Sequence, residues 1–172
     1  MGGNIGKPLI DFKNQRNNSN YHVIELSSFQ LESAPSFHSY ISILLNISED
    51  HLDRYKTIDL YAKEKKKILN NNKAAYNIIS IDDSACKEIF NSLENLNNIP
   101  FSILKPIKKG VYFFDNKIYD NFFFDNKIIL VNKISESLFG KFNLQNILVT
   151  YIISQILKLD TKIFLSLIGN FV

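Results

Sequence analysis

Apolar positions along the chain change their spacing several times, and each change marks an element. Tyr21 to Leu26 and Ile41 to Ile47 are short apolar runs that lead straight into polar clusters, which predicts strands. Ile5 to Gln15 reads as a helix entered from a glycine-rich loop. Thr57 caps a helix running to about Leu69, and Asn70-Asn71-Asn72 stops it. Ala74 to Ile81 is a further strand, and Asp82-Asp83-Ser84 caps a helix of roughly Ala85 to Leu93. Strand and helix alternate, so the fold class is α/β: a mostly parallel sheet flanked by helices. In such sheets the strand ends carry the chemistry.

From Ile99 to Val131 the texture becomes short β runs with turn residues between them. Phe113-Phe114-Asp115-Asn116-Lys117-Ile118 recurs as Phe123-Phe124-Asp125-Asn126-Lys127-Ile128. Asp-Asn between aromatic strands favours a tight hairpin, because both residues tolerate positive φ. Two copies are too few for a solenoid. The segment therefore reads as an antiparallel β-meander closing the sheet edge. Asn143 to Leu159 is a largely buried helix, and Asp160 or Thr161 caps another.

Composition narrows the function classes. The chain has 172 residues, 45% of them hydrophobic, which suits one domain with a real core. The net charge is +3, yet Arg16 and Arg54 are the only arginines, and nucleic-acid surfaces lean on arginine forks. No nucleic-acid partner is expected. Cys86 is the only cysteine, which excludes an intrachain disulfide and fits the cytoplasm. The apolar stretch Ile147 to Leu157 is far short of the about 20 residues that cross a bilayer, so no membrane partner is expected.

Candidate chemistry sits after the first two strands. Glu25 ends an apolar run and is followed by Ser27, Ser28, Gln30 and Glu32, a polar loop suited to a metal or a phosphate. His51 follows the next strand, with Glu49, Asp50, Asp53 and Arg54 around it. Imidazole with carboxylates reads either as a structural histidine or as a metal site, suits zinc more clearly than Mg²⁺ or Mn²⁺, and leaves the metal open. On the helix after Thr57, Ile58, Tyr61, Ala62, Lys65, Ile68 and Leu69 share one face, while Lys63, Lys66 and Lys67 lie on the other. Lys65 is then either a lysine that snorkels to water or a buried amine of lowered pKa. A neutral amine of that kind can take up CO₂ to form a carbamate.

Gly3-Asn4-Ile5-Gly6, Glu25-Leu26-Ser27-Ser28-Phe29-Gln30-Leu31-Glu32 and Glu49-Asp50-His51-Leu52-Asp53-Arg54-Tyr55 occur in an order that resembles the Mur ligase family. The octamer from Glu25 points to the branch that adds D-glutamate, and Tyr61-Ala62-Lys63-Glu64-Lys65 matches the family's Tyr-x-x-x-Lys. The resemblance implies ATP and Mg²⁺ as cofactors, with Glu25 and His51 associated with the metal and Lys65 carbamylated. It implies Asn4 beside the reacting groups and Ser27 on the substrate side. Gly140-Lys141-Phe142-Asn143-Leu144-Gln145-Asn146 resembles the family's Gly-x-His-Asn-x-x-Asn, so Asn146 would contact the nucleotide and Asn143 support it. Phe142 replaces the histidine of that pattern.

The family reading implies a partial central, ATP-handling domain, truncated at both ends, of a monomeric parent. The phosphate loop and the N-terminal uridine-nucleotide and C-terminal domains are expected to be absent. Gly2 to Pro8 resembles a phosphate loop, but Pro8 stands where a Mg²⁺-binding hydroxyl is needed. The parent's partners would be UDP-N-acetylmuramoyl-L-alanine and D-glutamate, joined through an acyl phosphate. Rival readings are another Mur or folylpolyglutamate-type ligase, a non-catalytic domain that binds a nucleotide or partner, and a small metallohydrolase using Glu25, His51 and the nearby aspartates.

Overall fold

A computed structural model describes residues 1–12, 21–69, 75–94 and 97–172. The expected Asn70-Asn71-Asn72 stop, Ala74 and the last residues of the Ile5–Gln15 helix lie outside these. A six-stranded sheet is built from β3 (Ile41–Leu44), β4 (Tyr76–Ser80), β5 (Asn98–Ser102), β6 (Val111–Phe114), β7 (Lys117–Asp120) and β8 (Lys127–Leu130), in that spatial order. The first four strands run parallel, with Ile43 beside Ile78 and Ile78 beside Ile99. The last three form the antiparallel meander at one edge.

Period-two alternation along β4 dictates the layers. Ile78 and Ile79 are both 0% exposed yet belong to different apolar clusters on opposite faces. The Ile78 side packs with Phe101, Val111, Ile118 and Ile129 against α5 (Lys141–Ile156) and α6 (Thr161–Gly169). On the Ile79 side, Leu44 of β3 meets α3 (Ile58–Lys66) and α4 (Ser84–Asn91) through Tyr61, Ala62, Cys86 and Ile89. The caps fall where the residues predict. Thr57, Asp83 and Asp160 accept hydrogen bonds from the amides of Leu60, Cys86 and Lys162.

Four expectations need correction. The Ile5–Gln15 segment is not helical from Ile5: Gly6 sits at φ 83°, Lys7 precedes Pro8 and bridges to Gly2, and among the described residues a 3-10 turn over Leu9–Phe12 follows. The Tyr21–Leu26 strand contracts to β2 (Ile24–Glu25), because its described partner, β1, is only Gly2–Gly3. The polar stretch after Glu25 is not a loop. It forms helix α1 (Ser28–Glu32), capped by Ser27 with the side chain of Gln30 bonding back, a capping box.

The fourth correction concerns the repeated Phe-Phe-Asp-Asn. Asp115 and Asn116 take φ 48° and 52° and make the expected tight turn between β6 and β7. The second copy does not repeat it. The buried carboxylate of Asp120 accepts from the amides of Phe122 (3.0 Å) and Phe123 (2.9 Å), holding the first residue of the second copy and the one before it in a turn rather than a strand.

Asp120 also accepts from the Tyr151 hydroxyl at 2.7 Å, and both residues are 0% exposed. Burial, reinforced by this bond, pushes the Tyr151 phenol well up, so it remains a donor. Tyr151→Phe should therefore cost about 1–3 kcal/mol, because a buried carboxylate oxygen loses its partner. Urea unfolding of the variant beside the unsubstituted protein measures this, and an unchanged midpoint would show the bond to be dispensable.

Candidate functional site

The site grows from the ends of β1, β2 and β3. Gly3 pairs with Glu25 in the parallel β1–β2 ribbon, and the Asn4 amide donates to the Glu25 carbonyl at 2.9 Å. Gly3 sits at φ 115°, and a Cβ there would overlap that carbonyl oxygen. Glycine is thus what lets Asn4 lie against Glu25, with both side chains exposed. Ser27 follows at the cap of α1, its hydroxyl engaged with Gln30. The hydroxyl of the following residue, Ser28, is buried without a hydrogen-bond partner, an unspent polar group in the first turn of α1.

His51 opens α2 (Leu52–Tyr55) from the left-handed region, φ 52°, which bends the exit of β3 sharply into the helix. Asp50 fixes the bend by accepting from the His51 amide at 2.8 Å and lying 3.4 Å from its Nε2. The imidazole packs against Phe29 at 5.0 Å and, edge-on, against Tyr61 at 6.1 Å between ring centroids. Phe29 also stacks with Tyr55 and lies under the Arg54 guanidinium at 5.0 Å. Arg54 in turn pairs with Glu32 of α1. Helices α1 and α2 are therefore joined by one ring and one ion pair.

Lys65 reaches the same frame from α3. Its Nζ lies 5.1 Å from the centre of the Tyr61 ring, and Tyr61 is 5% exposed. His51 and Lys65, on different elements, thus meet on one aromatic ring. Lys65 itself is half-buried, at the margin of the apolar stripe. The expected division of the α3 lysines needs correction at Lys66. It is also half-buried and donates to Ser92 at 2.8 Å, whereas Lys63 and Lys67 are exposed.

Among the described residues, no three His, Cys, Asp or Glu side chains come together to hold a metal ion. That donor set does not fit a caged zinc, which takes away the main support for a metallohydrolase. Mg²⁺ keeps several waters and takes one or two protein ligands together with phosphate oxygens, so it does not need such a cluster. Cys86 is buried beside Asp83, and burial first, then that carboxylate, pushes its thiol well up, leaving it inert.

Asn143 and Asn146 lie on the outer side of α5. Asn146 donates to the Asn143 side chain at 3.4 Å, and Asn143 donates to the Phe139 carbonyl at 3.4 Å. Phe142 is 70% exposed. Sequence reasoning passed over Gln145 between them, which is buried and bonded to Leu45 and Asn46 at the exit of β3. Its signal was available: a polar residue in register with Leu148, Val149 and Ile152 on a buried stripe. The aromatic frame of Phe29, Tyr55 and Tyr61 was not legible, because it joins three separate helices.

Residues 2–154 match the family described as the Mur ligase middle domain. The chain is 37% identical over 175 residues to the UDP-N-acetylmuramoylalanine–D-glutamate ligase of Rickettsia bellii (strain RML369-C), covering 99% of the chain and 38% of that protein. It is 35% identical over 170 residues to the enzyme of the same name from Clostridioides difficile (strain 630), covering 98% of the chain and 37% of the relative. Among solved structures, a pseudomurein peptide ligase type C from Methanothermus fervidus has a TM-score of 0.59 at 16% identity, over 87% of this chain and 38% of that one. That likeness speaks for the fold alone.

Two outcomes follow from the geometry. Gly3→Ala should cost about 1–3 kcal/mol through backbone strain and break the Asn4–Glu25 bond. Denaturant melts and faster amide exchange at Asn4 measure both effects. The Arg54 hydrogen bond holds the Glu32 carboxyl below the usual carboxylate range. The pair therefore stabilises the fold above that range and loses its effect as pH falls through the lowered value. Arg54→Ala should return Glu32 toward ordinary titration, followed by carboxyl carbon chemical shifts; no movement would exclude Arg54 as the cause.

Proposed function

The chain belongs to the Mur ligase family through its middle domain, and from that premise we propose that it is the central part of an ATP-dependent ligase adding D-glutamate to UDP-N-acetylmuramoyl-L-alanine. Such an enzyme serves peptidoglycan synthesis in the cytoplasm, and with it cell shape and division. Among the described residues no helix is long and apolar enough to cross a membrane. The chain spans just over a third of the length of the curated relatives reported above, so the proposal concerns the whole polypeptide of which these residues are the middle.

In the proposed reaction ATP phosphorylates the alanine carboxylate, and the amine of D-glutamate displaces phosphate to leave an amide. Bound Mg²⁺ would supply neutralisation of the phosphate charge, held by Glu25 and His51 with a carbamate on Lys65 as a third ligand. The chain's own contribution is placement. Asp50 and the left-handed turn set the His51 ring, and the Lys65 amine lies over Tyr61, the ring that His51 also meets edge-on. The β1–β2 pairing keeps Asn4 against Glu25, and the α1 cap sets Ser27 on the substrate side. Asn146, steadied by Asn143, takes the nucleotide.

What carries this reading is the similarity to D-glutamate ligases along nearly the whole chain, joined to the meeting of His51 and Lys65 on one ring.

The test is D-glutamate-dependent ATP turnover in the complete protein. Lys65→Ala should lower it by about 100-fold or more, since a charge-stabilising donor is lost from the reacting centre. Added acetate should restore part of the rate, because a carboxylate has the acceptor geometry of a carbamate and an amine does not. Lys63→Ala, on the exposed side of α3, should change little. Equal, modest losses in both variants with no acetate rescue would remove Lys65 from the site.

A further inference from the structure

Gln145 has been given no role so far, although it lies between the two asparagines of α5. It faces the other way from them: at 4% exposure it shares a buried stripe with Leu148, Val149 and Ile152. A buried glutamine must find partners for its amide, and the partners described for it lie about a hundred residues earlier in the chain. Its Nε2 donates to the Leu45 carbonyl at 3.3 Å, and its Oε1 accepts from Asn46 Nδ2 at 3.4 Å. Leu45 and Asn46 form the exit of β3, the segment that continues to His51.

The same exit is gripped from the opposite face of the sheet. Asp83 accepts from the Ile47 amide at 3.3 Å with one carboxylate oxygen and from the Cys86 amide at 2.8 Å with the other. The strand end that delivers His51 is therefore clamped between the first turns of α5 and the cap of α4. An apolar residue at position 145 would fill the space, but would leave the Leu45 carbonyl and the Asn46 amide without this partner. Asn46 is half-buried and can turn to water.

We propose that Gln145 is a positioning residue that fixes helix α5, with Asn143 and Asn146 on its outer side, relative to the strand exit that carries His51. The proposal rests on the functional reading above for the roles of Asn146 and His51; the tie itself does not. Losing Gln145 would leave each half of the site intact and loosen the distance between them. A residue that merely packed would show a different pattern, a lower melting temperature with the KM for ATP unchanged.

In the complete protein, Gln145→Leu and Asn46→Ala are compared singly and together, following kcat, the KM for ATP and amide exchange across Leu45–His51. Gln145→Leu should raise the KM for ATP about tenfold and speed exchange in that segment by a similar factor, as for two lost hydrogen bonds. Asn46→Ala, at a half-buried position where folding is not at risk, should give about a threefold effect from one lost bond. The double variant should be no worse than Gln145→Leu alone, because both changes break the same tie. Additive effects in the double variant, or unchanged exchange across Leu45–His51, overturn the proposal. If the unsubstituted protein shows no D-glutamate-dependent turnover, the functional reading fails instead. The exchange measurement then settles the tie by itself: faster exchange in Asn46→Ala upholds it and unchanged exchange refutes it.

Discussion

Strand β4 buries Ile78 toward α5 and α6 and Ile79 toward α3 and α4, with neither side chain reaching water. A strand apolar on both faces cannot sit at a surface, so helices must cover both sides of the sheet around it. Parallel neighbours then follow, because each crossover helix returns the chain to the same end of the sheet. That arrangement sends the exits of β3, β4 and β5 to one edge. His51 lies past the exit of β3, and Asp82 and Asp83 lie past the exit of β4. The chemistry of the chain is gathered by the burial of two isoleucines.

The carboxylates at that edge divide their work. Asp82 accepts from the Ser102 hydroxyl and the Ile103 amide, tying the exit of β4 to that of β5. Asp83 caps α4 and holds Ile47. Both are spent on protein partners, as polar groups at the margin of a core must be. His51 is more exposed, and Asp50 together with the rings of Phe29 and Tyr61 sets its orientation. The edge thus separates carboxylates that hold the scaffold from a group that remains open to a ligand.

Around His51 the supporting contacts are mostly aromatic. Phe29, Tyr55 and Tyr61 come from α1, α2 and α3, and each touches at least one other member of the group. Rings fix orientation without competing for the polar atoms of the site. The Arg54–Glu32 pair on the outside adds little energy at such exposure, but it keeps α1 in register with α2. A short helix such as α1 has little stability of its own, so its place depends on these contacts.

Local chemistry was legible in the sequence. The caps at Thr57, Asp83 and Asp160 and the Asp115-Asn116 turn depend on residues a few positions apart, and all appear as expected. The sheet class followed from apolar spacing, and the candidate site residues were chosen from motif order. Even the capping box from Ser27 to Gln30 was written there, though the polar stretch reads equally well as a loop. Only the tertiary structure decided the rest. The second Phe-Phe-Asp-Asn copies the first in sequence, but a buried Asp120 captures the amide of its first residue, Phe123, and that of Phe122 before it. Lys66 lies on the polar side of α3 by spacing, yet Ser92 of the neighbouring helix end draws it in. Gln145 is tied to a strand exit about a hundred residues away. Helix spacing and capping are short-range and repeat in any chain that carries them. A hydrogen bond between distant residues forms only once packing has brought the two segments within reach, and no local pattern encodes that distance.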